Sequence, residues 1–156
     1  MEDISIIIEK LRKANLTISV AESCTGGRIA SNIVSFDGAS EFFLGGVVTY
    51  SIHSKIRILN IDKKRIELYG VVSPEIAKDM SNAVKDLFDS DISISITGNV
   101  GSKSGDGLSP IGQVFISINF MNKVDVWEFN LKDNRNSNIE TAVSKVFTLL
   151  NNILKN

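Results

Sequence analysis

The sequence predicts a three-layer α/β/α domain built on a mixed sheet. Three observations carry this. Helix and strand signals alternate from the start of the chain to about residue 97. The segment D-I-S-I-S-I-T, residues 91–97, alternates strictly between polar and apolar residues, as a strand does. The chain then closes with two strand-like runs, a short reversal and one long amphipathic stretch, so part of the sheet must be antiparallel.

Residues 3–14 place Ile4, Ile7, Ile8 and Leu11 at helical spacing, with Asp3 as the cap. Residues 16–20 read as a short buried strand. Residues 25–35 read as a helix capped by Thr25, with Ile29, Ile33 and Val34 inward. L-G-G-V-V-T-Y, residues 44–50, is a second strand, and short helices follow over 53–59 and 62–68. Pro74 suits the first turn of a helix running to Phe88, with Ser73 as its cap. G-Q-V-F-I-S-I-N-F and V-D-V-W-E-F-N-L pair as a hairpin across Met121–Lys123. The C-terminal helix turns Val143, Val146, Phe147, Leu150 and Leu154 inward.

With 156 residues, 43% hydrophobic and 22% charged, the chain reads as one globular domain over 1–156. A chain of this length buries roughly two-thirds of its unfolded surface and needs no staple. The net charge of -1 disfavours a nucleic-acid partner. Cys24 and His53 are the only residues of their kinds, which excludes an internal disulfide and argues against a metal centre. The opening M-E-D is unlike a signal peptide, and no apolar run approaches the ~20 residues of a membrane span. The expectation is a cytoplasmic protein without membrane contact.

In open α/β sheets, ligands bind beyond the carboxyl ends of strands. Polar and glycine residues concentrate at three such places, 21–27, 50–55 and 98–111. In A-E-S-C-T-G-G, residues 21–27, Ser23 sits between a strand and a helix start, where unpaired N–H groups can hold a phosphate or an oxyanion. The same residues also make a plain turn in which Ser23 or Thr25 caps. A nucleophilic serine needs a base. His53 is the conventional one but falls on a solvated helix start. Lys55 serves only if burial lowers its pKa; otherwise it is one more surface lysine. Cys24 is a nucleophile if exposed and acidified, or a small buried hydrophobe. The 98–111 loop fits neither a Walker motif nor a dinucleotide fingerprint. It is either an anion-binding nest or an ordinary surface loop.

Three stretches taken together resemble one family. They are T-I-S-V-A-E-S-C-T-G-G (17–27), G-A-S-E-F-F-L-G-G-V-V-T-Y-S-I-H-S-K (38–55) and Y-G-V-V-S-P-E-I-A (69–77). They are similar to the CinA C-terminal domain, a family that includes stand-alone nicotinamide-nucleotide amidases, and the resemblance covers nearly the whole chain. It implies hydrolysis of the carboxamide of nicotinamide mononucleotide to nicotinate mononucleotide and ammonia, in pyridine-nucleotide salvage. Ser23 would be the nucleophile, Lys55 its base, and Tyr50 a neighbour that positions or shuttles the proton. N–H groups at the start of the 25–35 helix would hold the oxyanion. Glu22, Thr25 and Gly26 would shape the first loop, and Gly46 and Thr49 would line the second. Gly98, Gly101 and Arg135 would meet the nucleotide phosphate. The resemblance further implies a homo-oligomer and no cofactor or metal. The third loop departs from the family's usual pattern, with Ser102 in place of a proline. One alternative is a non-catalytic nucleotide-binding or regulatory module of the same fold. Another is an interaction protein associated with competence or DNA damage.

Overall fold

The computed structural model describes residues 4–155. Helix α1 (Ile4–Ala14) buries the four apolar residues that its spacing marks, while Asp3 lies outside the described residues. Strand β1 (Ile18–Glu22) leads through a turn into α2 (Arg28–Val34). A 3-10 turn (Ala39–Glu41), β2 (Phe43–Val48), α3 (Ile52–Leu59) and α4 (Lys63–Tyr69) follow. Then come α5 (Pro74–Phe88), β3 (Ile92–Gly98), β4 (Gln113–Phe120), β5 (Lys123–Asn130) and α6 (Arg135–Ile153). The sheet order is β2-β1-β3-β4-β5, the first three strands parallel and the last two antiparallel to their neighbours. Helices α1, α2 and α6 cover one face, and α3, α4 and α5 pack at the other, giving the three-layer mixed-sheet domain.

Several local expectations hold for the stated reasons. Ser73 Oγ accepts from the Ile76 N–H, with Pro74 in the first turn of α5. The β4–β5 hairpin turns on Met121 and Asn122, both at positive φ (52° and 63°), as a two-residue turn of matching twist requires. Others fail. Strand β1 extends to Glu22, and α2 does not begin until Arg28. Thr25 is not its cap; a carboxylate from the preceding strand does that work, as described below. Val34 is exposed, because α2 is short and only Ile29 and Ile33 reach the core.

The alternation in β3 does not mark a solvent-exposed face. All of Ile92–Thr97 is buried. Ile92, Ile94 and Ile96 enter the core under α1 and α6. Ser93 and Ser95 face α5 and donate to the carbonyls of Ser81 (2.7 Å) and Ala77 (2.5 Å). Ser19 Oγ reaches Ser90 Oγ (2.7 Å), and Ser81 Oγ meets Ser117 Oγ (2.8 Å). Each of these buried serine hydroxyls thus finds a partner, as burial favours. Thr97 continues the row, donating to the Val71 carbonyl at 2.9 Å and fixing the segment before α5. No helix among the described residues is long and apolar enough to cross a membrane.

Candidate active site

The parallel strands β1, β2 and β3 end on the same edge of the sheet, at Glu22, Val48 and Gly98. A cleft of about 500 Å³ opens there. Ser23, Lys55, Tyr50, Gly98, Gly101 and Arg135 all line it, together with His53, Cys24, Lys103 and Asp106.

The turn that carries Ser23 is built by Glu22. This side chain is 1% exposed, yet four donors meet its carboxylate. Thr25 Oγ1 donates at 2.6 Å, and the N–H groups of Gly27, Ile29 and Ala30 at 3.0, 3.1 and 2.8 Å. A buried carboxylate is stable only when so satisfied. Gly26 closes the turn at φ 58°, its N–H donating to the Ser23 carbonyl. Thus Glu22, Thr25 and Gly26 form the turn, and none of them lines the cleft. The N–H groups at the start of α2 are also already committed, those of Gly27, Ile29 and Ala30 to Glu22 and that of Arg28 to the Thr25 carbonyl, which removes them as the expected oxyanion site.

Lys55 lies on the inner face of α3, 1% exposed. Ser51 caps that helix, its side chain accepting from the Ser54 N–H. Lys55 Nζ donates to the Thr49 carbonyl at 2.6 Å and to Ser23 Oγ at 2.8 Å. Burial lowers the lysine pKa to about 8. A neutral amine in this position has the right valence to keep donating to Thr49 while accepting the Ser23 proton. Thr49 itself is fully buried and contributes only its backbone, donating also to the Glu22 carbonyl. Gly46 does not line the cleft. It sits in β2, where a Cβ would come within 2.5 Å of Val20 Cγ2, so its role is close strand packing.

Burial pushes the Cys24 thiol up to about 12, leaving it a buried core group with little thiolate. His53 is on the exposed face of α3, and the polar partner of Ser23 Oγ is Lys55. Tyr50 projects into the cleft mouth, where its hydroxyl accepts from Arg135 Nη2 at 2.7 Å.

The 99–112 loop is not an unstructured surface segment. Asn99 is buried and accepts from the Gly105 N–H at 2.9 Å while donating to the Ser109 carbonyl. Asp106 gathers Ser104 Oγ, Ser109 Oγ and the N–H groups of Leu108 and Ser109. Desolvation alone would raise the Asp106 carboxyl, but these donors hold it well below the usual carboxylate range. The loop is tied to the rest of the fold by Ser109, which donates to the Val72 carbonyl, and by Asn138 of α6, which donates to Val100. Sequence reasoning missed Asn99, Asp106 and Asn138. The only trace of Asn99 and Asp106 is polar side chains scattered among glycines, the same trace a solvated loop leaves, and Asn138 reads as one more polar residue at the start of the C-terminal helix.

A serine set against a buried lysine at the ends of parallel strands defines the class, an α/β domain with a Ser–Lys site. The chain belongs to the CinA C-terminal domain family, whose sequence pattern matches residues 2–154. It is 37% identical over 157 residues to a CinA-like protein of Flavobacterium psychrophilum, covering 99% of this chain and 38% of that protein. It is 39% identical over 130 residues to a CinA-like protein of Fervidobacterium nodosum, covering 83% and 32% respectively. The chain therefore spans only about a third of the length of these relatives. Among solved structures, it superposes on a competence-damaged protein (CinA) superfamily protein of Klebsiella pneumoniae with a TM-score of 0.92. That pair shares 26% identity over 96% of this chain and 93% of the other. An Escherichia coli member of the superfamily gives a TM-score of 0.91 at 27% identity, covering 94% and 85%.

Proposed function

We propose that this chain hydrolyses the carboxamide of nicotinamide mononucleotide, with Ser23 as nucleophile and Lys55 as base. The observation that carries this reading is the buried 2.8 Å contact between Lys55 Nζ and Ser23 Oγ at the cleft. Neutral Lys55 takes the Ser23 proton as Oγ attacks the amide carbon. The Ser23 and Gly26 N–H groups are already donated, to Ile96 and Ser23 carbonyls, which leaves that of Cys24, the next residue along the cleft wall, to meet the oxyanion. The tetrahedral intermediate collapses as the Lys55 ammonium returns its proton to the departing ammonia. Water, deprotonated by Lys55, then attacks the acyl-enzyme. Nicotinate mononucleotide leaves and Ser23 is regenerated.

The rest of the cleft suits a nucleotide. Val71, Val72 and Val100 give an apolar wall for a flat ring. Arg135 and Lys103 add positive charge for a phosphate. The test is ammonia release from nicotinamide mononucleotide by the purified protein. Binding of the nucleotide without ammonia release would favour a non-catalytic nucleotide-binding module instead. Cys24→Ala is expected to keep most activity, because the buried thiol takes no part. Loss of turnover in Cys24→Ala with the fold intact, alongside an active Ser23→Ala, would identify the cysteine as nucleophile. The nucleotide is further expected to surpass the riboside in kcat/KM by roughly 10- to 150-fold, the value of one charge-assisted contact of ~1.5–3 kcal/mol. Equal values for the two would remove the phosphate from the recognition scheme.

A further inference from the structure

The Tyr50 hydroxyl lies in hydrogen-bond contact with Arg135, whereas the Ser23 hydroxyl bonds Lys55. Tyr50 stands just before α3 on one side of the cleft. Arg135 opens α6 on the other, next to the Asn134 cap. Their 2.7 Å contact joins the two walls at the mouth. The guanidinium also lies over the 99–112 loop, since a Cβ on Gly101 would come within 2.7 Å of Arg135 Nη1. Side-chain ion pairs elsewhere join Arg12 to Glu41, Lys63 to Glu67, Arg65 to Asp79 and Lys123 to Asp125. Arg135 has no carboxylate partner among the described residues. Its side-chain hydrogen bond goes to a neutral phenol. The distinction matters electrostatically. A carboxylate would orient the guanidinium and cancel its charge; a phenol orients it and leaves the charge for an incoming anion.

We propose that Tyr50 is a positioning residue that acts through Arg135, aiming an unneutralised guanidinium at the substrate's phosphate beside Gly101 and Lys103, and takes no part in the proton transfer at Ser23. This rests on the amidase reading above.

The test is steady-state kinetics of Tyr50→Phe, Arg135→Ala and the double variant, with nicotinamide mononucleotide and its riboside. Tyr50→Phe is expected to raise KM for the nucleotide roughly 3- to 10-fold, a charge-assisted contact discounted for solvent exposure. The rising limb of the kcat/KM pH profile should stay in place. The change should add little in the Arg135→Ala background and little for the riboside. A fall in kcat with a displaced pH limb, additive losses in the double variant, or an equal loss on the riboside would each overturn the proposal. Failure of the amidase reading is seen separately, as wild-type protein that releases no ammonia. The coupling is then read by calorimetry with inorganic phosphate on the same variants. Weaker binding in Tyr50→Phe that vanishes in the Arg135→Ala background supports it, and unchanged binding in Tyr50→Phe overturns it.

Discussion

Lys55→Met is expected to cut ammonia release by roughly 10²- to 10⁴-fold, the usual worth of a positioned general base. Ser23→Ala should lose as much or more, and the double variant should be no worse than the more damaged single, since the two residues act as one unit. The wild-type kcat/KM should rise with pH through about 8, because the amine must be neutral to accept the serine proton. His53→Ala should keep this profile. The fold should tolerate Lys55→Met. Removing a cation whose pKa burial has lowered from 10.5 to about 8 relieves about 3 kcal/mol of strain at neutral pH. Orphaning the Thr49 carbonyl and the Ser23 hydroxyl costs roughly 1–3 kcal/mol in the opposite direction. The sign can be followed by pH. Between about 8 and 10.5 the unfolded chain holds a proton that the folded Lys55 has lost, so wild-type stability gains on the variant as pH rises there. A variant that is inactive because it is unfolded, or a difference in stability that is flat across this window, would contradict the assignment.

Glu22→Ala should be the most damaging single change to the fold near the cleft. It leaves the N–H groups of Gly27, Ile29 and Ala30 and the Thr25 hydroxyl without their acceptor. The expected loss is on the order of 3–5 kcal/mol, or about 10 °C in Tm for a domain of this size. Activity should fall with it, since the same carboxylate shapes the turn bearing Ser23. Glu22→Gln keeps one carbonyl acceptor and should fall between. A Glu22→Ala protein melting within about 2 °C of wild type would show that the turn holds without its carboxylate.

Much of the fold was legible because local and tertiary signals agree. Ser73 and Pro74 mark the start of α5 and do so in the structure. Ile4, Ile7, Ile8 and Leu11 mark a helix face and occupy the core. The failures have physical causes. Thr25 looks like a cap because hydroxyl residues favour that place. Here the acceptor comes from Glu22, whose longer side chain spans the turn, and no spacing rule tells a capping carboxylate from a catalytic one. In α3, apolar spacing points outward as well as inward: Ile52 and Ile58 are about half exposed, while Lys55 is buried with Leu59. A lysine among isoleucines reads as a solvated face. Only the motif resemblance singled it out, and only the packing shows it beside Ser23. The Asn99–Asp106 tie was invisible because its partners lie several residues apart in a glycine-rich stretch.

The hydroxyl row beneath α5 has a mechanical consequence. Ser93 and Ser95 reach the carbonyls of Ser81 and Ala77, so two residues of strand answer four of helix, run in opposite directions. Two strand residues advance about 6.6 Å and four helical residues about 6 Å, so strand and helix mesh like a rack and pinion with matched teeth. A slip of one residue would disengage every tooth at once; a slip of a whole turn is the smallest that re-engages them. Helix α5 therefore has no small sliding motions to offer. Thr97 and Ser109 fasten Val71 and Val72 at the end of this rack. The Val71 and Val72 wall of the cleft is thus held through this rack, whereas Tyr50 and Arg135 meet across the mouth by an exposed hydrogen bond.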